Sequence, residues 1–449
     1  MRIAAGIITV FMCLPGLSQA AIQYDGARNC LWVSDYPREW PCTMERLLSV
    51  DRMNDWGRVS YDRAADTYTI ECDLWIGKDD GSYTYFQVGT REHPRETVIL
   101  KGNLVIYPNR LNDNGPDGKF SPALKKVNRL RLGNPDDKSI SATFKIDDNA
   151  KTINIGTLPE YGGQGRQDGK GGRLHIYNSW FGGLASRAMG AGATGNKHYW
   201  QGESFIFKNA TIAWLDGMPY GADGGNVEIM EDSVFDGCGA VFCGSTQRAL
   251  RCTFKNCDVV VLDRGSADAQ LTDCVFKGNN RNWYLSCSDA GVLCLDCAWD
   301  APKECDKIYR SGFARGKGYF PKFISRRHIV VEVVDKAGQP IPGALVEIVC
   351  EQADSRTIDN VINGVAQKMN SRTITCNNLG RTPRKEENGA VLLTEMIQKA
   401  TDIPEQPEVK RFSYKIRADA KGFLSNSIEN FHPQKSREKV RLVLSNKKD

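Results

Sequence analysis

The sequence predicts an all-β chain whose main body is a β-solenoid, and three observations carry that expectation. The region after Tyr68 reads as short β-rich runs separated by turns of Gly, Asn and Asp, with almost no helical periodicity. Four segments then repeat one design: Asp232-Ser-Val-Phe235, Arg251-Cys-Thr-Phe254, Asp273-Cys-Val-Phe276 and Asp296-Cys-Ala-Trp299, with aromatic residues 19, 22 and 23 positions apart. Equivalent positions also keep their chemistry. Ser233, Cys252, Cys274 and Cys297 form a small inward column, Asp232, Arg251, Asp273 and Asp296 a polar column beside it, and Asp236, Lys255, Lys277 and Asp300 a second polar column. That spacing is one coil of a stacked repeat, in which each turn buries the face of the last. Weaker copies stand at Asn209-Ala-Thr-Ile212, Asn178-Ser-Trp-Phe181 and Asn103-Leu-Val-Ile106.

The remaining elements follow in chain order. Residues 1–20 carry Arg2, an apolar stretch from Ala4 to Leu14 and the small-residue pattern Ser18-Gln19-Ala20, which predicts a signal peptide cleaved after Ala20 and a secreted, periplasmic or cell-surface protein. The apolar stretch is too short to span a bilayer, and no later segment is long enough. Residues 21–67 are expected to cap the solenoid, 68–325 to form it, and 326–449 to form a small β-sandwich. Of 15 cysteines, fourteen lie beyond the leader, and bridges Cys30–Cys42 and Cys350–Cys376 are expected in an oxidising compartment. A net charge of +5 over 449 residues lacks the dense basic patches of a nucleic-acid binder and permits an anionic polysaccharide partner.

Residues 68–320, through this periodicity, resemble the right-handed parallel β-helix proteins of the pectate-lyase-like class. Val331-Glu-Val333, Asp335, Gly338, Pro340-Ile-Pro-Gly343-Ala344 and Val346-Glu-Ile348, followed by Asn388-Gly389-Ala-Val-Leu and Tyr414 to Gly422-Phe423, are similar to carboxypeptidase regulatory-like domains. That second resemblance implies a transthyretin-like sandwich, usually an accessory module without catalytic residues. The first implies side chains projecting from one parallel sheet, about 4.8 Å apart between coils.

Motif searches exclude several chemistries. Cys294-x-x-Cys297, Cys252 to Cys257 and Cys238 to Cys243 have zinc-like or redox-like spacing, but the repeat places Cys252, Cys274 and Cys297 at one coil position, which points to packing. The five histidines His93, His175, His198, His328 and His432 have no ligand spacing. No nucleophile elbow or phosphate loop is present. Asn112 to Gly118 has the oxygen content of a calcium loop without its terminal Glu and reads as a turn. Two insertions, Asn112 to Ser121 and the Gly-rich stretch Gly162 to Asn196, interrupt the coils and are candidate functional loops.

A lyase acting on a uronic acid needs a base and a cation or Ca²⁺ beside the carboxylate, and a hydrolase needs two carboxyl groups. Arg251, Lys255, Lys277 and Asp273 are the catalytic candidates, with Lys208 and Asp268 as further material and Asp232 and Asp263 as Ca²⁺ ligands. Trp200, Trp214, Tyr220, Trp283 and Tyr284, with Tyr199 nearby, are candidates for packing on sugar rings, and Arg264, also material for a base, is a further substrate-binding candidate. The expected function is an exported, glycan-degrading β-helix protein, a polysaccharide lyase or related enzyme on an acidic polymer. The alternative is a non-catalytic module that binds glycans or other cell-surface proteins.

Overall fold

The computed structural model describes residues 21–77, 84–107, 128–147, 152–155, 172–183, 197–200, 204–215, 227–243, 247–262, 269–285, 291–300, 307–308, 321–352, 358–362, 365–401, 406–433 and 438–447. Nearly all regular structure in them is strand, and the helix Met44–Met53 is the only one among the described residues. None of it is a helix long and apolar enough to cross a membrane. The predicted leader, residues 1–20, and most of the two insertions lie outside the described residues.

Up to residue 326 the strands stack in long sheets that the chain visits in rotation, parallel except where Ala21–Asp25 meets Cys30–Ser34 and Val59–Asp62 meets Thr67–Ile70 antiparallel at the start. One repeat runs from Gln247–Leu250 to Thr253–Lys255 to Val259–Leu262, and the next from Ala269–Thr272 to Val275–Lys277 to Arg281–Leu285. Each strand pairs in register with its counterpart one repeat away, as in Phe254 opposite Phe276. Residues 21–67 are woven into the same sheets, since Cys30–Ser34 pairs in parallel with Asp73–Ile76. The helix Met44–Met53 starts at Thr43, whose hydroxyl accepts from Arg46 N at 3.3 Å, and it sends Met44, Leu47 and Leu48 into the main core.

The core is a set of ladders. Tyr68, Val98, Phe144, Phe181, Ile212, Phe235, Phe254, Phe276 and Trp299 occupy one register along the ten-stranded sheet. Phe235 and Phe254 stack at 5.3 Å, and Phe254 and Phe276 at 5.4 Å. Each buried ring contributes about 2 kcal/mol through removal from water, and only the in-register pairing lets it contact both neighbours. The segment at Asn103 does not belong to this column, because Leu104–Ile106 lies in a different, six-stranded sheet. The upstream members are Thr97–Leu100 and Thr143–Ile146.

Two further columns fix the corner before that sheet. Asn178, Asn209, Asp232, Arg251, Asp273 and Asp296 share a left-handed backbone, with φ between 51° and 54°. Asn and Asp tolerate it best, so the polar column is a backbone requirement as much as a surface one. One residue further on, Ser179, Ser233, Cys252, Cys274 and Cys297 each donate to the carbonyl two residues back: Ser233 Oγ to Glu231 O at 2.7 Å, and Cys252 Sγ to Leu250 O at 3.5 Å. Burial lifts the Cys297 thiol well above its ordinary pKa, and Cys252 is raised first by its contact with Cys274 and then by burial. These cysteines therefore stay protonated and act as larger serines.

Neither expected disulfide is formed. Cys30 packs in a small cluster with Trp75, Val105 and Tyr107, whereas Cys42 points into the main core. Cys350 stands opposite Asn370 and Cys376 opposite Ala344, at the two ends of one antiparallel strand pair. That places them about 20 Å apart along the strands, beyond any bridge.

The fourteen-residue strand Lys322–Asp335 joins the two parts of the chain. Its first half pairs in parallel with Gly291–Leu295, and its second half in parallel with Glu438–Asn446. Val391–Lys399 pairs antiparallel along Lys322 to Ile329 and so extends the long sheet beyond the last repeat. A second core, including Val331, Val346, Ile348, Leu393, Tyr414, Ile416 and Leu442, fills the C-terminal region. There a four-stranded antiparallel sheet comprises Ser371–Thr375, Leu345–Cys350, Tyr414–Asp419 and Asn426–Phe431.

Candidate anion-binding site

Three neighbouring strands of the long sheet read Tyr85–Val88, Arg129–Leu132 and Arg173–Tyr177. Strand alternation sends Phe86, Val88, Leu130, Leu132, Leu174 and Ile176 into the core. The intervening residues form two columns on the other face: Tyr85, Arg129 and Arg173 in one, and Gln87, Arg131 and His175 in the next. Parallel pairing sets adjacent members about 4.8 Å apart. Three guanidinium groups and an imidazole thereby share one small area.

Aromatic and amide groups hold this array. Arg131 Nη1 donates to Tyr85 OH at 2.8 Å, and Arg131 Nε donates to Gly133 O at 3.1 Å. Arg129 lies over the Tyr85 ring at 5.2 Å, and Arg131 over the Tyr177 ring at 5.7 Å. Gln87 Nε2 donates to Val88 O, Gly89 O and Gly133 O, which ties two adjacent turns together under the arginines. Asn128 clamps the corner, accepting from Thr84 N at 3.0 Å and donating to Tyr107 O at 3.1 Å. It fits because residue 77 is glycine: a Cβ there would lie 2.0 Å from Asn128 Cγ. Across this corner Trp32, Trp75 and Tyr107 pack together, and Trp32 Nε1 donates to Gly77 O.

The electrostatics are one-sided. Burial, then the charges of Arg129, Arg173 and Arg131, push His175 down to about 2, so its ring is neutral at physiological pH. Burial also lowers Arg129, opposed by Tyr85, while Arg173 and Arg38 add to the lowering. The Nε of Arg129 is buried without a hydrogen-bond partner among the described residues. A half-buried cluster of guanidinium groups binds planar or tetrahedral oxyanions through paired N–H donors. What such an array can do chemically is pair with a carboxylate, sulfate or phosphate group.

The residues singled out in sequence lie elsewhere. Arg251 donates from Nε and Nη2 to the two oxygens of Asp232, at 2.6 and 2.8 Å. That bond lowers Asp232 and raises Arg251, so the carboxylate is occupied by its neighbour and the guanidinium holds its proton more tightly than a base should. In this structure the expected Ca²⁺ ligand Asp232 and the expected base Arg251 are paired with each other. Lys255 pairs with Asp236 at 3.0 Å, Lys277 stands exposed in the next repeat, and Asp273 is bound by Lys385 at 2.7 Å. Trp214 lies at a left-handed corner beside Trp180, 5.8 Å away. Trp283 needs correction: it is 1% exposed and packs on Phe276 and Phe323, so it is a core ring and offers no platform to a sugar. For Trp200 and Tyr284 only the strands Lys197–Trp200 and Arg281–Leu285 are described. Tyr220, Asp263, Arg264 and Asp268 lie outside the described residues.

Among the described residues no group of three or more His, Cys, Asp or Glu is arranged to hold a metal ion. The arginine array escaped the sequence reading although it carried a signal: Tyr-Phe-Gln-Val, Arg-Leu-Arg-Leu and Arg-Leu-His-Ile begin at 85, 129 and 173, an even step of 44 residues. No protein-family model, curated protein or solved structure matches this chain.

Proposed function

We propose that this chain is an exported right-handed parallel β-helix protein that binds an acidic polysaccharide at the Arg129, Arg131 and Arg173 cluster. The β-helix reading is supported by in-register parallel strands visited in rotation, and export by the leader pattern of residues 1–20. The C-terminal region reads as a β-sandwich of the carboxypeptidase regulatory-like kind, supported by its second core and antiparallel sheet. One observation carries the binding function: three arginines on two adjacent strands, with aromatic rings beneath them, act together on His175. A uronate polymer supplies the complement, a carboxylate for the guanidinium forks that Tyr85 and Tyr177 hold in place from below.

The Arg131 to Tyr85 hydrogen bond favours a second reading, β-elimination on the same polymer. There a base takes the C5 proton, the C4–O bond breaks, the departing sugar oxygen keeps the electron pair and takes a proton from water, and a C4=C5 double bond remains. Arginine neutralises the carboxylate, and Tyr85 OH is the oxygen beside it.

The test is binding of the purified chain to polyuronates and to neutral polysaccharides of similar length, with ultraviolet absorbance followed for an unsaturated product. Selective polyuronate binding, lost in Arg129→Ala and Arg173→Ala, supports the proposal. Equal affinity for neutral chains overturns it. An absorbance rise abolished by Tyr85→Phe establishes the elimination, and binding without such a rise leaves the non-catalytic module.

A further inference from the structure

The C-terminal region carries a cleft of about 560 Å³, in the size range of small-ligand sites, where the starts and ends of its strands meet. One wall follows from strand alternation: Val346, Ile348 and Ala418 enter the second core, so Leu345 and Asp419, paired opposite each other, face outward. The chain then turns at Gly422, whose φ of 88° lies in the left-handed region, and Phe423 N donates to Ala420 O at 3.1 Å. Phe423–Leu424 returns as a two-residue strand that pairs with Asn446 and Ser445 on one side and with no described strand on the other. Phe423, Leu424 and Ser425 all line the cleft. Side chains alternate along a strand, so three consecutive residues border the cleft through the open backbone edge.

The lining is both apolar and cationic. Leu345 is 47% and Leu424 53% exposed, and they are two of only seven large apolar side chains so exposed among the described residues. Neighbouring exposed apolar groups rimmed by charge mark an interaction surface. Arg417 is paired with Asp419, Nε to Oδ2 at 2.9 Å, whereas Lys421 and Lys447 have no ion-pair partner among the described residues. Phe423 is partly buried against the second core, so the accessible apolar surface is aliphatic and offers a sugar ring no flat face.

We propose that this cleft docks an extended acidic peptide segment of a partner protein. The peptide backbone adds to the open edge of Phe423–Leu424, an apolar side chain packs on Leu345 and Leu424, and a carboxylate pairs with Lys421 or Lys447. Charge complementarity selects an acidic occupant. The open edge selects a peptide over a fatty acid, which has no backbone to pair. This inference stands apart from the polysaccharide reading and does not depend on it.

Saturation-transfer NMR on the full chain tests it with four probes: acetyl-Val-Leu-Glu-Val-amide, the same peptide with glutamine for glutamate, decanoate and a polyuronate. The expected result is saturation of the acidic peptide's methyl groups, with affinity weakened about fivefold in the double variant Lys421→Gln with Lys447→Gln, which loses two exposed ion pairs. Leu424→Ser should weaken it about tenfold through lost apolar contact. All three side chains are exposed, and unchanged urea midpoints verify that the variants fold as the parent does. No saturation of the acidic peptide, equal affinity for its glutamine counterpart, or an affinity that no variant changes overturns the proposal. Decanoate binding with the same dependence on these residues assigns the cleft to a fatty acid and overturns the peptide occupant. Polyuronate binding weakened by the same variants overturns it in favour of the glycan.

Discussion

Lys385 of the C-terminal region places its Nζ 2.9 Å from Asp296 Oδ2, at the last left-handed corner of the parallel body. The same ammonium reaches Asp273 at 2.7 Å, and His328 binds Asp296 from the other side, Nδ1 at 2.6 Å and backbone N at 2.7 Å. Beside them Arg327 is buried against Glu395 at 2.9 Å, over the Trp299 ring and on the carbonyl of Cys297. The polar column that runs along the body thus ends in groups supplied by the C-terminal region, which also adds the strand Val391–Lys399 to the open edge of the sheet. Edge strands left bare invite aggregation, and this one is covered.

Removing Lys385 leaves the Asp296 carboxylate, whose side chain has no exposed surface, with only His328 as partner. Lys385→Met should therefore destabilise the protein by about 3 kcal/mol, the usual penalty for breaking one side of a buried pair. Burial alone would raise the Asp296 pKa, but the hydrogen bond and charge of His328, its backbone N–H and Lys385 outweigh it and hold the carboxyl well below the usual range. A depressed acid stabilises above its unfolded pKa and loses that contribution as pH falls toward the folded one. Denaturant midpoints should thus decline below about pH 4, and the decline should be shallower in Asp296→Asn. An unchanged acid limb in that variant would show that the stabilising charge lies elsewhere.

Glu96 works in the opposite direction. It is 1% exposed, accepts from Gly89 N, and burial lifts its pKa to about 7 despite that hydrogen bond and the nearby His93. An acid whose folded pKa is raised stabilises fully below its unfolded value and loses that stability as pH rises through the folded value. From an ordinary 4.5 to about 7, the loss amounts to roughly 3 kcal/mol. Urea unfolding between about pH 5 and about pH 8 should show this slope in the wild type and a flatter profile in Glu96→Gln.

If arginines supply the charge that holds the ligand, divalent ions are dispensable for binding. Polyuronate affinity should survive chelation by EDTA. It should weaken with added salt, because the contacts are ionic and only half buried. Arg131→Lys keeps the charge but loses the bidentate fork and the ring contact with Tyr177, so it should weaken binding by about tenfold. Loss of binding on chelation would point to a metal-held carboxylate instead.

What was legible in the sequence, and what was not, follows from coil length. The columns through Phe235, Phe254, Phe276 and Trp299 show because 19 to 23 residues separate them, within which chemistry and spacing can be compared by eye. The arginine columns lie one step of 44 residues apart, with insertions between, so three similar tetrapeptides look unrelated until backbone pairing brings them together. Charged residues of the short columns looked chemically promising, yet Asp232 with Arg251 and Asp236 with Lys255 neutralise each other between repeats. The contact from Lys385 to Asp273 spans 112 residues between two regions, and no local pattern announces it.

Arg251 is the member of the left-handed corner column least suited to it, since its φ of 52° is a conformation that Asn178 and Asn209 adopt at little strain. A left-handed residue other than Gly, Asn or Asp carries about 1 kcal/mol of backbone strain. The ion pair with Asp232 is roughly half exposed and offsets only part of it. Replacing both partners, Asp232→Asn with Arg251→Asn, would continue the side-chain ladder in which Asn209 Nδ2 donates to Asn178 Oδ1 at 2.9 Å. The double variant should match or exceed wild-type stability, within about 1 kcal/mol. Arg251→Val keeps the strain, adds β-branching and strands Asp232, so it should lose about 2 kcal/mol. Chemical denaturation of the three proteins decides the matter: a double variant as unstable as Arg251→Val would mean that the ion pair, and not the backbone conformation, governs this corner.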